Sequence, residues 1–314
     1  MRRAGAAAAA ALVLVALFAA GCQQAEPPNA GYRAYTAVSA ADPAHVWAVG
    51  RQDAISFYDG ARWVEQSSGT GVALFGVSAL DTDFAMAVGA GGTVLRYDGA
   101  RWSAIESATR ANLSGVVVLD RGHAWAVGQG GVAMFFDGSA WARQETGVGW
   151  NLRSVTAVDA RHVYAAGDRG VLFFDGDAWS LKWDSRQGGL SSALTGISAL
   201  DSDHVWAVGN PVMQLNVGAA SVFFYNGSAW TEELKVPDSS LSSVYAEAGR
   251  VWAATDTGAV LVRRGSWKES LVAPDLTDFR GICAEGGRAW AVGNSWHYTP
   301  VIYRFDGNWA RQGG

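Results

Sequence analysis

Cysteine and positive charge are both scarce in this chain of 314 residues. Of its 2 cysteines, Cys22 lies in an N-terminal segment with a separate role, so Cys283 has no partner and we expect no intrachain disulfide. The 24 Lys and Arg residues are outnumbered by 29 Asp and Glu, which gives a net charge of −5. We therefore expect no nucleic-acid partner, because phosphate binding needs a clustered basic surface.

Long apolar runs are missing too, with one exception at the N-terminus. Residues 4–20 carry no charge and follow Arg2 and Arg3, a pattern that predicts an export signal because the run is short and wrongly flanked for a membrane span. An ordinary cleaved signal with an incidental cysteine is the alternative to the anchor considered next.

The run ends in Leu17-Phe-Ala-Ala-Gly-Cys22, which resembles the lipobox of bacterial lipoproteins. The resemblance implies that Cys22 becomes the first mature residue and carries acyl chains, which anchor a protein to a membrane without spanning it. Gln23 in place of aspartate implies the outer membrane, if the host has one. We expect a signal peptide at 1–21, a lipidated cysteine and tether at 22–31, and an exported protein attached to the bacterial envelope through its lipid alone.

A repeated block fills the rest of the chain. It reads approximately L-x-G-V-x-A, D-x-x-H-V-W-A-V-G and G-x-V-x-x-F-D-G-x-x-W, and its apolar runs are short and bounded by Gly, Asp or Asn, as in strands joined by turns. The tryptophan that closes each unit is Trp63, Trp102, Trp141, Trp179, Trp230, Trp267 and Trp309. Repeats of about 40 residues with four short strands predict a β-propeller. We predict an all-β fold over residues 32–314, with seven four-stranded blades.

Residues that recur in every unit are expected to build the blades. The third position of the first strand is always small, as expected near a crowded axis, and the second strand carries a central aromatic that we expect to fill the wedge between blades. The Asp-Gly pairs predict tight hairpins. Unit six departs most from the repeat: Ala254-Thr255 replaces Val-Gly, and Arg264-Gly265 replaces the Asp-Gly pair. We predict that its blade is the least regular. The first unit begins with its inner strand, so no blade should combine strands from both ends of the chain.

Four histidines also recur at one position, each three residues after an aspartate: His45, His123, His162 and His204. Equivalent positions lie around a ring and cannot converge on one ion, so we interpret each Asp-His pair as a hydrogen bond within a turn. No metal and no cofactor is expected. The glycine-rich segments at 89–92 and 128–131 precede no helix and are interpreted as hairpin turns.

A functional site is expected where the units disagree. The loop at 210–220 is expanded, and the corresponding loop of unit seven carries Trp296, His297 and Tyr298. Trp150 and Trp183 are also outside the repeat pattern. Exposed aromatic rings suit a sugar ring or a protein hot spot, and the alternative is that they cap the edges of blades.

The second position of the inner strand varies as well, and in two units it is an arginine, Arg153 and Arg280. If this position faces the central channel, the two cations face one opening from three blades apart. They then either hold an anionic ligand or form part of a solvated lining.

The D-G-x-x-W hairpins and W-A-V-G strands are similar to two groups of proteins. One is the bacterial propellers related to sialidase Asp-box repeats and photosystem II assembly factors; the other is the tectonin-type lectins. The resemblance implies a propeller and no catalytic motif, since nothing corresponds to a sialidase's three arginines, nucleophilic tyrosine and acid pair. We expect a non-enzymatic, lipid-anchored envelope module that binds a protein or glycan partner. The alternatives are a lectin with pockets in several blades and a glycan-processing enzyme with its site at the channel mouth.

Overall fold

The computed structural model describes residues 34–186, 192–211, 219–274, 277–295 and 299–312. Within them the chain forms 28 strands, grouped into seven sheets of four consecutive antiparallel strands each. The predicted seven-bladed β-propeller is therefore confirmed. No helix in this part of the chain has the length and apolar character needed to cross a membrane.

Each blade contributes one strand of each kind, from the axis outwards. The inner strands are β1 (Tyr35–Asp42), β5 (Leu74–Asp81), β9 (Leu113–Asp120), β13 (Leu152–Asp159), β17 (Ser192–Asp201), β21 (Leu241–Glu247) and β25 (Asp278–Glu285). The second strands are β2 (His45–Gly50), β6 (Phe84–Gly89), β10 (His123–Gly128), β14 (His162–Gly167), β18 (His204–Pro211), β22 (Arg250–Thr255) and β26 (Arg288–Asn294). The third strands are β3 (Ile55–Tyr58), β7 (Val94–Tyr97), β11 (Ala133–Phe136), β15 (Gly170–Phe174), β19 (Ala220–Tyr225), β23 (Ala259–Arg264) and β27 (Pro300–Phe305). The outer strands are β4 (Trp63–Gln66), β8 (Trp102–Ile105), β12 (Trp141–Gln144), β16 (Trp179–Asp184), β20 (Trp230–Val236), β24 (Ser266–Val272) and β28 (Trp309–Arg311).

The inner strands run in one direction around the axis, which defines two faces. We call the end where they begin the upper face; it also carries the turns between second and third strands. The lower face carries the turns between first and second strands and the Asp-Gly hairpins. Two of the upper turns, Ala90–Gly92 and Gln129–Gly131, are single 3-10 turns between strands, so the glycine-rich segments are hairpin connections as predicted.

The ring closes between the seventh and first blades, and no blade combines strands from both ends, as predicted. Strand β25 packs directly on β1. Cys283 is buried there among the side chains that join the two blades, and burial raises the pKa of its thiol, so this cysteine is a packing residue. Arg304 donates to the Tyr58 hydroxyl at 2.6 Å across the same boundary.

The wedges between blades are filled by the central residue of the second strand. These residues are almost completely inaccessible, with exposures of 0–3 %: Trp47, Met86, Trp125, Tyr164, Trp206, Trp252 and Trp290. Large buried rings contribute extensive apolar contact to a fold that has no disulfide in the described residues. Their repeated position therefore reflects packing, as the sequence indicated.

The small residues of the inner strands allow neighbouring blades to approach at the axis. A Cβ at Gly76 would lie 3.2 Å from the Cα of Gly115, and one at Gly281 would lie 3.1 Å from the Cα of Ala37. These distances are shorter than ordinary carbon contacts. A larger side chain would push adjacent inner strands apart.

The lower face confirms the predicted turns. In each of the four Asp-x-x-His turns, the histidine Nδ1 lies 2.7–2.9 Å from its aspartate. The Asp-Gly hairpins behave similarly: backbone N–H groups of Ala140 and Ser139 and the Ser139 hydroxyl hold the pKa of Asp137 at about 2. No group of metal-ligating side chains is assembled in the described part of the chain.

The sixth blade has the same four-stranded order as the others. Its differences lie in two turns. Glu247 pairs directly with Arg250 without the register shift present in blades one to five, a turn that the seventh blade shares. Arg264 pairs with Ser266 around Gly265, which is a shorter hairpin than the corresponding turns of the other blades. The predicted departure of unit six at Arg264-Gly265 is therefore a shortened outer hairpin.

The outer strands contain a connection that the sequence analysis missed. In four blades, the closing tryptophan donates its indole N–H to the residue three positions after the closing tryptophan of the preceding blade. These pairs are Trp102 to Gln66, Trp179 to Gln144, Trp267 to Glu233 and Trp309 to Ser270, at 2.8–3.0 Å. Where that residue is Ile105, the buried Nε1 of Trp141 has no acceptor.

We expect Gln144→Leu to lower the free energy of unfolding by about 1–2 kcal/mol, because it leaves the Trp179 indole N–H without its acceptor. Chemical denaturation measures the loss. In a Trp179→Phe background, the same change should cost much less, since no donor remains. Equal costs in both backgrounds would show that this hydrogen bond does not connect the blades energetically.

Candidate functional site

The central channel opens at the upper face, and its lining comes from the inner strands. A cavity of about 240 Å³ lies along the axis. Its lining includes the variable position of every inner strand: Thr36, Phe75, Ser114, Arg153, Thr195, Ser242 and Arg280. The condition set in the sequence analysis, that this variable position faces the channel, is therefore met.

Three of these residues have a structural role. The hydroxyls of Thr36, Thr195 and Ser242 donate to a backbone carbonyl of the next blade at 2.6–2.7 Å. Each also reaches a carbonyl of its own blade's second strand. They therefore join adjacent blades around the channel, and a ligand would have to compete with these bonds.

The two channel arginines are each paired with an aspartate at the upper rim. Arg153 donates from Nε and Nη2 to Asp168, both at 2.8 Å, and Arg280 forms an ion pair with Asp278. Burial raises the pKa of the Asp278 carboxyl, although Arg280 opposes that effect. Both arginines remain about half exposed. The channel mouth is therefore lined by neutral ion pairs, which weakens the case for a strongly bound anion.

The non-repeating tryptophans pack against blades. Trp183 stacks on Trp230 with ring centroids 5.1 Å apart and also contacts Phe223 at 4.9 Å. Trp150 lies against the core formed by Trp125 and its neighbours, and both tryptophans are only partly exposed. These positions agree with the edge-capping interpretation, while the partner-binding role of the two rings stays a prediction.

Several predicted features lie outside the described residues. They are the signal and tether at 1–31 with Cys22, the trio Trp296, His297 and Tyr298, and positions 212–218 of the expanded loop. The flanking residues Ser295 and Thr299 are described, and the Ser295 N–H donates to the Thr299 carbonyl at 2.9 Å.

A second depression at the channel mouth was not predicted as a site. It has a volume of about 330 Å³ and belongs to blades two to four. Its lining residues are Phe75, Asn112, Ser114, Gln129, Asn151 and Arg153. The available sequence signal was the same disagreement between units, but spread over four separate segments. We call this group of six residues the upper pocket.

Comparisons with known proteins identify the fold. No family model matches the chain and no curated protein matches it. Three similar solved structures are a YCF48 bound to D1 peptide, YCF48 from Cyanidioschyzon merolae and the WD40 propeller domain of Doa1. Their TM-scores are 0.66, 0.64 and 0.69, with sequence identities of 18 %, 17 % and 12 %. The alignments cover 84 %, 89 % and 90 % of this chain and 91 %, 98 % and 93 % of the respective structures. At these identities, the likeness establishes the propeller architecture.

Proposed function

We propose that this protein is a non-enzymatic binding module of the bacterial cell envelope, lipid-anchored through Cys22, which presents its upper face to a protein or glycan partner. The observation that carries the proposal is the asymmetry of the channel mouth. At the channel mouth, blades two to four place a phenyl ring, carboxamides and a guanidinium group. A propeller of similar blades does not need these side chains in order to fold. Propellers commonly bind through such a face, and the YCF48 structure contains a bound peptide.

The acids of the described residues support a binding role over catalysis. Asp168 and Asp278, the carboxylates at the channel mouth, are paired with Arg153 and Arg280. The hairpin aspartates accept backbone N–H groups, as Asp137 does. General acid–base chemistry needs a positioned carboxyl group that is free to exchange its proton with a substrate, and each of these carboxyl groups is already bound to a partner within the fold.

Lipid anchoring is tested at Cys22. Mass spectrometry of the mature protein is expected to find an acylated N-terminal Cys22, and Cys22→Ser should release the protein from the membrane fraction or stall its processing. An unmodified N-terminus at another residue would contradict the anchor. That result would leave the binding face unaffected.

Partner binding is tested by an envelope pull-down with variants of each face. If the trio at 296–298 forms part of the binding surface, Trp296→Ala with Tyr298→Ala should weaken binding by at least about 2 kcal/mol, or about 30-fold, with a nearly unchanged melting temperature. Arg62→Ala is the matched control, since Arg62 is exposed on a lower-face hairpin. Loss of binding in the lower-face variant alone would place the partner on the opposite face.

A further inference from the structure

The polar groups of the upper pocket differ in how much of their hydrogen-bonding capacity the fold uses. Asn151 is engaged at both ends: its oxygen accepts from the Gly130 N–H at 3.0 Å, and its nitrogen donates to Asp168 at 3.0 Å. Asn112 makes only the first of these bonds, accepting from the Gly91 N–H at 2.8 Å. In the described part of the chain, the Asn112 amide nitrogen has no acceptor. This amide is therefore fixed in position with its donor unused.

Two further side chains of the pocket make no hydrogen bond within the described residues, the Ser114 hydroxyl and the Gln129 carboxamide. Ser114 is informative because Thr36, Thr195 and Ser242 stand at its position in other blades, and each donates to the next blade. Gln129 is exposed on the upper turn of blade three, where blade four has Asp168 bound to its own blade. Blade three therefore presents three polar groups at the channel mouth that form no hydrogen bond within the described residues: the Asn112 amide nitrogen, the Ser114 hydroxyl and the Gln129 carboxamide.

The remaining two residues, Arg153 and Phe75, determine the charge of the pocket and its apolar surface. Asp168 accepts from Arg153, so the guanidinium is neutralised and oriented while its other N–H groups stay available. Phe75 is partly exposed at the position where neighbouring blades carry polar side chains. The pocket thus combines one aromatic ring with amide, hydroxyl and guanidinium groups and carries no net charge.

We propose that the upper pocket binds one neutral sugar residue of a glycan, an inference that rests on the proposed binding function and specifies its ligand. Adjacent sugar hydroxyls both donate and accept, as carboxamides and a serine hydroxyl do, and the apolar face of a pyranose packs on an aromatic ring. An anionic ligand is disfavoured because Asp168 already neutralises Arg153 and adds a carboxylate nearby. Because the six residues come from blades two to four only, the described part of the chain forms one such pocket, whereas a lectin with a pocket in each of several blades would bind several sugars.

The experiment is an array of neutral and acidic glycans probed with the full protein, followed by calorimetry with the best neutral glycan. We expect binding of neutral glycans with one site per chain. Asn112→Asp retains the oxygen that accepts from Gly91 but removes the donor, and Gln129→Ala removes a side chain that makes no hydrogen bond within the described residues. Each should weaken binding at least about tenfold, the usual result of losing one good polar contact.

Arg101→Ala is the matched control, since Arg101 is exposed on the lower-face hairpin of blade two and lines neither the channel nor the upper pocket. It should bind within about twofold of the wild type. Absence of any glycan signal, a preference for acidic glycans, or unchanged binding in both pocket variants would overturn the inference. An array without signal together with a specific protein in the pull-down would refute the sugar site and leave the proposed function standing.

Discussion

Trp206→Ala is expected to lower the free energy of unfolding by about 3–5 kcal/mol, the usual cost of removing a large buried ring. Trp206 is 3 % exposed and fills the wedge between the fifth and sixth blades. It stacks on Phe224 at 4.8 Å, and its indole N–H donates to Glu233 at 3.2 Å. Alanine would leave a cavity that two rigid sheets cannot close. Equilibrium denaturation in urea, monitored by circular dichroism, measures the loss.

Leu181→Ala is the control for this change, since Leu181 is 53 % exposed on an outer strand. Its effect is expected to stay within about 0.5 kcal/mol. Trp206→Phe should lie between the two, because it keeps a ring in the wedge and loses the bond to Glu233. Similar losses for Trp206→Ala and Leu181→Ala would contradict the assignment of the repeated aromatics to the core.

Gly131→Ala is expected to cost about 2–5 kcal/mol, while the same change at the adjacent Gly130 costs about 1 kcal/mol. Both glycines have positive φ, 76° at Gly131 and 68° at Gly130, so alanine is strained at either position. A Cβ at Gly131 would also overlap the backbone carbonyl of Val148, whereas one at Gly130 has nothing within 4 Å. The two variants separate backbone strain from a collision between chain segments.

Melting temperature and urea denaturation of the two variants check this difference. The collision at Gly131 involves backbone, which cannot move without displacing the segment that leads to the next blade. A cost at Gly130 equal to that at Gly131 would mean that the turn moves freely and that left-handed strain alone determines its residues.

Much of the fold could be predicted because each structural feature of a blade recurs in the sequence of all seven units. A buried aromatic, a small inner residue or an Asp-Gly hairpin is ambiguous once, but a period of about 40 residues gives each a fixed place in a blade. The same alignment placed Arg153 and Arg280 at one variable position of the inner strand but left open whether that position faces the channel, and both residues line the cavity.

The candidate site was less predictable because its residues meet only across blades. Nothing in the sequence pairs Arg153 with Asp168 or stacks Trp183 on Trp230, since these contacts depend on how far each side chain reaches between neighbouring elements. The hydrogen bond from Trp179 to Gln144 was missed for the same reason: 35 residues separate the partners. The upper pocket was missed likewise, because its residues come from separate segments, none of which indicates a site by itself.

The sequence by itself determined the blade count, the strand order and the packing role of the repeated residues, because burial and turn geometry act locally and recur with the period. Only the tertiary structure decided which variable residues share the channel mouth and which polar groups there remain unused. That outcome depends on the packing of neighbouring blades, which brings Phe75, Asn112 and Arg153 to one pocket and engages the Thr36, Thr195 and Ser242 hydroxyls in joining blades. A hydroxyl such as Ser114 can be recognised as unused only after the partners of its counterparts are known.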